Sequence, residues 1–120
     1  MKRLTATLAL WAGITAVAQA AEPITLGLNY PRTGPYKEEG LAQMRGALLA
    51  IDELNERGGV LGRPLRLSSK DTASRPAKAE RQVDKQAAAG AAKLVGGSSS
   101  AVAIAARKRA ANHGRRYFGT

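Results

Sequence analysis

Ile24 to Tyr36 reads ITLGLNYPRTGPY, and the change of pattern inside this stretch decides the fold. Ile24 to Tyr30 is a short β-prone run, and Pro31, Gly34 and Pro35 interrupt it, so it reads as a buried strand ending in a loop. From about Glu38 to Glu56 the apolar residues Leu41, Met44, Leu48 and Ile51 return at intervals of three and four, the period of a helix with one apolar face. Gly58-Gly59 then stops the helix with a left-handed cap.

The alternation continues to the end of the chain. Leu65 to Ser69, entered through Pro64, is a second strand; Ser74, with Pro76 just behind it, starts a second helix that runs to Gly90. Ala92 to Val95 is a third strand. Gly96 to Ser100 forms a turn whose last serine caps a third helix, Ala101 to His113, which Gly114 ends. Arg116 to Phe118 begins a fourth strand. Strands joined by helical crossovers imply a parallel sheet with right-handed connections. In the common order 2-1-3-4 the first helix covers one face, the next two cover the other, and the winding reverses between strands one and three. Open α/β sheets bind ligands at that reversal, beyond the carboxyl ends of the strands. Two loops meet there, Pro31 to Lys37 and Gly96 to Ser100.

Upstream of the first strand, Met1-Lys2-Arg3 is a basic start and Leu4 to Ala18 an uncharged, largely apolar run. At about 15 residues the run is shorter than the roughly 20 that a membrane span requires. With small residues in Ala18-Gln19-Ala20 it reads as a secretory signal cut after Ala20, which implies export to a bacterial periplasm and a mature part of residues 21–120.

Composition narrows the function. The 120 residues hold 19 Lys and Arg against nine Asp and Glu, no cysteine and one histidine, with 44% hydrophobic and 23% charged. This is at most one domain of ordinary globular composition. The lack of cysteine excludes disulfides, thiolate-held zinc, a thiol nucleophile and a lipid-modified N-terminal cysteine. Removing Lys2 and Arg3 leaves a net charge of +8, and five of those charges (Arg107, Lys108, Arg109, Arg115 and Arg116) crowd the last fourteen residues with no acid among them. Such a cluster invites a nucleic-acid reading, but the export signal argues against it, and cations near a helix C-terminus complement its dipole. Arg109 and Arg116 fit this less well, since Arg109 follows Ala105 on a stripe expected to be buried and Arg116 opens a strand expected inside the sheet.

Enzyme readings do poorly. Gly97-Ser98-Ser99-Ser100-Ala101 approaches a nucleophile elbow but ends in alanine where the motif has glycine. His113, the only candidate base among histidines, lies about 20 Å away at the far end of the same helix. No phosphate loop is present, Gly58 to Gly62 follows a helix where a dinucleotide fingerprint follows a strand, and no metal-ligand cluster or paired carboxylates appear. The expectation is a protein that is not an enzyme and needs no cofactor or metal. The turn before the third helix is better suited to an anion: helix N-terminal amides favour a carboxylate, Ser98, Ser99 and Ser100 add hydroxyls, and Tyr36 offers an apolar wall with a polar tip.

Four segments carry a resemblance: ITLGLNYPRTGPY, AIDELNERGGVLGRPL from Ala50 to Leu65, DTASRP from Asp71 and LVGGSSSA from Leu94. Together they resemble the first half of the N-terminal lobe of type I periplasmic substrate-binding proteins of ABC transporters, in the leucine/isoleucine/valine-binding group. The asparagine and glycines of the second segment are the most specific part. The resemblance implies a partial Rossmann-like parallel sheet over residues 21–120. It also implies binding of an amino acid or related amide, with a membrane permease as partner, no nucleic acid, and a monomer. Ser100 resembles the family serine that takes the ligand carboxylate, with Ser98 and Ser99 beside it. Tyr36 resembles the aromatic at the ligand's side-chain end, and Thr120 begins the next contact loop. The family has two lobes, so this chain is expected to be a fragment, inactive or weakly binding alone. A receptor's ligand-sensing domain and a small basic exported binding protein are the alternatives.

Overall fold

The computed structural model describes residues 21–120; the expected export signal lies outside them. Seven elements follow in the anticipated alternation: β1 Ile24–Tyr30, α1 Lys37–Glu56, β2 Leu65–Asp71, α2 Pro76–Ala88, β3 Lys93–Gly96, α3 Ser100–Asn112 and β4 Tyr117–Gly119. All strands are parallel and ordered β2-β1-β3-β4, as the alternation predicts. The second strand extends two residues further than expected, to Asp71, because Asn29 and Tyr30 keep pairing with Lys70 and Asp71.

The two faces of the sheet are built differently. Beneath α2 and α3 small residues allow close approach: Ala79, Ala91, Ala106 and Ala110 pack with Val83, Leu94 and Val102, and Tyr117 closes the cluster. Burial raises the Tyr117 hydroxyl above its ordinary pKa. A buried amide crosses the same face. Gln86 of α2 donates to Ser68 O of β2 (2.6 Å) and Leu28 O of β1 (3.3 Å) and accepts from Asn29 Nδ2 (2.7 Å). On the other face α1 lies over β1 and β2 and buries Gly40 and Ile51. Leu48, expected on the apolar stripe, is 45% exposed, and Phe118 is 55% exposed. One helix does not span four strands, so Phe118 remains uncovered and an apolar cavity of about 370 Å³ opens between α1 and the sheet, beside Val95.

Helix ends follow local chemistry, with two departures. Gly58 and Gly59 adopt the left-handed conformation after α1 (φ 96° and 77°), as their sequence position requires. A Cβ on Gly59 would overlap the Arg63 carbonyl, with which Val60 N–H pairs at 2.9 Å across the following tight turn. Ser74 does not start α2. Arg75 occupies the cap position in an extended conformation without a side-chain bond, and Ser74 is left-handed and turned toward the first loop. Before α3 the cap is Ser99, one residue earlier than expected: its Oγ accepts from Val102 N–H at 3.4 Å, and Ser100 is the first helical residue.

The awkward cations find places outside the core. Arg109 forms a two-pronged pair with Asp84 of α2 (Nε to Oδ1 2.7 Å, Nη2 to Oδ2 2.8 Å), joined by His113 Nε2 at 2.7 Å. Arg116 is exposed just before β4, where its carbonyl accepts from Leu94 N–H.

Asn55 explains the asparagine of the helix end. Its Nδ2 donates to Leu65 O (2.9 Å) and its Oδ1 accepts from Leu65 N–H (2.7 Å), so one amide satisfies both main-chain groups at the start of β2. Asn55→Ala strands these groups at a buried residue and is expected to cost about 1–3 kcal/mol in urea unfolding; a change within error would show that water replaces the amide. A second prediction concerns acid. Hydrogen bonds from Arg109 and His113 hold the Asp84 carboxyl at about 2. Because the folded value lies below the unfolded one, the stabilisation is complete above about pH 4 and fades as pH falls toward 2. Asp84→Asn is therefore expected to flatten the fall of the thermal midpoint across that window, and parallel curves for the two proteins would refute a contribution from the pair.

Candidate functional site

The carboxyl ends of β1, β2 and β3 carry three loops that form one rim. Asp71, the last residue of β2, fastens the first two. Its Oδ1 accepts from the N–H groups of Arg32 (2.9 Å), Thr33 (3.3 Å) and Ala73 (2.8 Å), and its Oδ2 accepts from Thr33 Oγ1 (2.8 Å) and Lys78 Nζ (3.4 Å). Burial alone would raise this carboxyl, but the bonds from Ala73, Thr33 and Arg32 outweigh it and hold Asp71 well below the usual carboxylate range. Ser74 adds a second fastening: its Oγ accepts from Tyr36 N–H at 3.2 Å and lies 3.4 Å from Thr33 O.

The third loop is tied differently. Gly97 N–H bonds Asn29 O at 3.0 Å, and Thr120 N–H bonds Gly96 O at 3.0 Å. Gly96, at φ 133°, lies so close to Asn29 that a Cβ would overlap the Asn29 carbonyl. The chain next enters Ser98, left-handed at φ 66°, whose Oγ accepts from Gln43 Nε2 of α1 at 2.6 Å. Ser99 then caps α3.

Of the four non-glycine residues with positive φ among the described residues, Ala73, Ser74 and Ser98 lie on this rim, and Leu61 lies in the tight turn after α1. Such conformations cost of order 1–3 kcal/mol each and gather where a site is held in a set shape.

Ser98, Ser99, Ser100 and Thr120 are thus brought together around the third loop. Tyr36 stands on the first loop of the same rim, 41% exposed, at the head of α1. The three serines differ in what occupies them. Ser98 Oγ is engaged by Gln43, Ser99 Oγ by the helix end, and Ser100 is exposed. Since the first turn of α3 has main-chain N–H groups without intrahelical acceptors, Ser100 combines a hydroxyl with the positive end of a helix dipole. This suits an anion. Among the described residues no group of three or more His, Cys, Asp or Glu is placed to hold a metal.

Two contributors escaped sequence reading. Gln43 was signalled only as a polar residue on the flank of α1 that carries Gly46, Ala47, Ala50 and Leu54, and Asp71 only as an acid at a strand end.

An open parallel sheet with its winding reversal beside a serine-capped helix start is the arrangement of a doubly wound α/β fold. Comparison identifies its kind. The family model described as periplasmic binding protein matches residues 23–120, and the chain belongs to this family. Its members are substrate-binding proteins rather than enzymes, and membership implies a periplasmic location.

The Leu/Ile/Val-binding protein BraC3 of Rhizobium johnstonii is 38% identical over 104 residues, 87% of this chain and 28% of that protein. The leucine-, isoleucine-, valine-, threonine- and alanine-binding protein of Pseudomonas aeruginosa is 39% identical over 79 residues, 66% of this chain and 21% of that one. Among solved structures, the branched-chain amino acid transporter substrate binding protein LivJ of Streptococcus pneumoniae, in complex with isoleucine, superposes with a TM-score of 0.78 at 28% identity, over 81% of this chain and 28% of its own. The chain therefore spans roughly a fifth to three tenths of the relatives it matches.

Asp71→Asn removes the anionic acceptor from Thr33 Oγ1 and Lys78 while keeping the side chain's shape. We expect a loss of about 1–3 kcal/mol in denaturant unfolding, with faster amide exchange at Thr33 and Ala73. Unchanged exchange at these two amides would show that the loops hold together without the charge.

Proposed function

We propose that this chain supplies the carboxylate-binding part of a periplasmic carrier for branched-chain or related amino acids, delivering its ligand to the membrane permease of an ABC importer. The observation that carries the proposal is the third loop. Gly96, Gly97 and left-handed Ser98 turn the chain so that α3 begins at the reversal of winding, with Ser100 and the first amides of the helix at the rim. The names of the relatives supply the substrate class, since the Rhizobium and Pseudomonas proteins are named as binders of leucine, isoleucine and valine.

In this reading the ligand carboxylate accepts from Ser100 Oγ and from the N–H groups of the first turn, where the helix dipole adds its attraction. Ser99 contributes the cap that keeps the turn in place, and Ser98 shapes its approach. Thr120 adds a hydroxyl from the next loop, and Tyr36 forms part of the wall toward the ligand's side chain. Binding requires no cofactor and no metal. Residues 1–20 act as the export signal, removed after Ala20, and the carrier works as a monomer.

The carboxylate assignment separates two chemically close probes. In a ¹⁵N-labelled sample of residues 21–120, millimolar leucine is expected to shift the amide signals of Ser99, Ser100 and Ala101. Leucinamide, which keeps the side chain and ammonium but lacks the carboxylate, is expected to leave them in place. Equal responses to both compounds, or shifts confined to other loops, would refute the assignment.

A further inference from the structure

The geometry assigns Gln43 as a positioning residue for the serine turn, a role that rests on the binding function proposed above and gives it a second layer. Gln43 lies on the flank of α1 that faces the apolar cavity together with Gly46, Ala47, Ala50 and Leu54. It is the polar member of that group. Its Nε2 donates to Ser98 Oγ at 2.6 Å, across 55 residues of sequence, while its Oε1 is buried without a hydrogen-bond partner among the described residues.

A part-buried amide whose buried oxygen has no partner is a poor choice for stability alone, because the orphan acceptor keeps its desolvation cost and a leucine or methionine would fill the same space without it. What the amide gains is a directional hold on one atom. That atom belongs to Ser98, a β-hydroxyl residue at φ 66°, in a region that residues other than glycine rarely enter. Ser98 directly precedes the cap of α3, so the backbone direction leaving it sets where Ser99 and Ser100 stand. Gln43 thus fixes the turn from behind and keeps the Ser98 hydroxyl occupied, leaving Ser100 as the hydroxyl free for a ligand.

A double-variant cycle on residues 21–120 tests this. The variants are Gln43→Met, which keeps the volume but loses the donor, Ser98→Gly, which makes the left-handed turn intrinsically accessible, and the two combined. The measurements are the three-bond coupling between Hα of residue 98 and the carbonyl carbon of Gly97, which is large only for positive φ, the thermal midpoint, and the leucine-induced shifts at Ser99 to Ala101. In Gln43→Met the coupling is expected to leave the left-handed range and the leucine affinity to fall about two- to tenfold, the worth of one hydrogen bond. On the Ser98→Gly background the same replacement is expected to leave the affinity unchanged and the thermal midpoint no lower, because glycine holds the turn without help and the amide has already lost its partner.

Retention of the left-handed coupling in Gln43→Met, or an equal loss on both backgrounds, overturns the assignment. Should Gln43→Met fail to fold, the combined variant decides: folding with a midpoint at or above that of Ser98→Gly supports the role, and failure refutes it. If no protein of the set responds to leucine, binding by residues 21–120 alone fails, while the coupling at Ser98 and the thermal midpoints still decide the positioning role.

Discussion

The carboxylate of Asp71 is the constraint from which the rim follows. A charge at the end of the edge strand β2, with its side chain only 10% exposed, has to be surrounded by donors. Here the donors come from two loops at once, Arg32 and Thr33 on one side and Ala73 on the other. Satisfying the charge therefore sets the distance between the loops, and the left-handed conformations of Ala73 and Ser74 are the local cost of bringing the second loop round. Once Ser74 is turned that way its hydroxyl reaches Tyr36 N–H at the head of α1. The start of the first helix and the stance of Tyr36 are consequences of how β2 ends.

The alternation of strand and helix was legible because it is written in short-range signals. Apolar residues returning at three and four mark α1, glycines mark its end and the ends of α2 and α3, and a crossover helix between successive strands leaves a parallel sheet as the economical arrangement. What was misread was governed by contacts distant in sequence. Three consecutive serines offer three possible caps, and the choice of Ser99 depends on Gly96 being pressed against Asn29 on a neighbouring strand. Ser74 has the composition of a cap, yet its hydroxyl is engaged by Tyr36 N–H and Thr33 O of the first loop. Arg109 sits where helical periodicity predicts burial, and only the packing of α3 beside α2 reveals that Asp84 waits there. The serine turn could be nominated as a site because it combines a strand end, a helix start and hydroxyls. The parts played by Gln43 and Asp71 had no comparable signal, since a single glutamine or aspartate acquires its meaning from a partner 38 to 55 residues away.

The cationic end of the chain also divides on inspection of the packing. Arg109 is consumed by an ion pair between helices, and the same pair accounts for His113, which lies too far along α3 to serve the rim. The remaining cations stand away from the serine turn, Arg107 and Lys108 on the outer side of α3 and Arg115 and Arg116 after its end. The cluster of positive charge is thus a property of the far end of α3, whereas the anion site proposed at the rim would draw on main-chain amides at its near end.

The two faces of the sheet bear different loads, and this explains why amides matter on α1. Under α2 and α3 alanines bring the helices down to interlocked contact, and the position of each helix is fixed by shape. Beneath α1 a cavity of about 370 Å³ and a flank of Gly46, Ala47 and Ala50 leave apolar contact that is loose and without direction. Hydrophobic contact of that kind allows a helix to slide or roll at little cost. The two amides supply what the stripe lacks: Asn55 ties the last turn of α1 to the first residue of β2, and Gln43 ties its opposite half to Ser98. With one fastening near each end the helix has a single register over the sheet. The serine turn, held by the same helix, inherits that register.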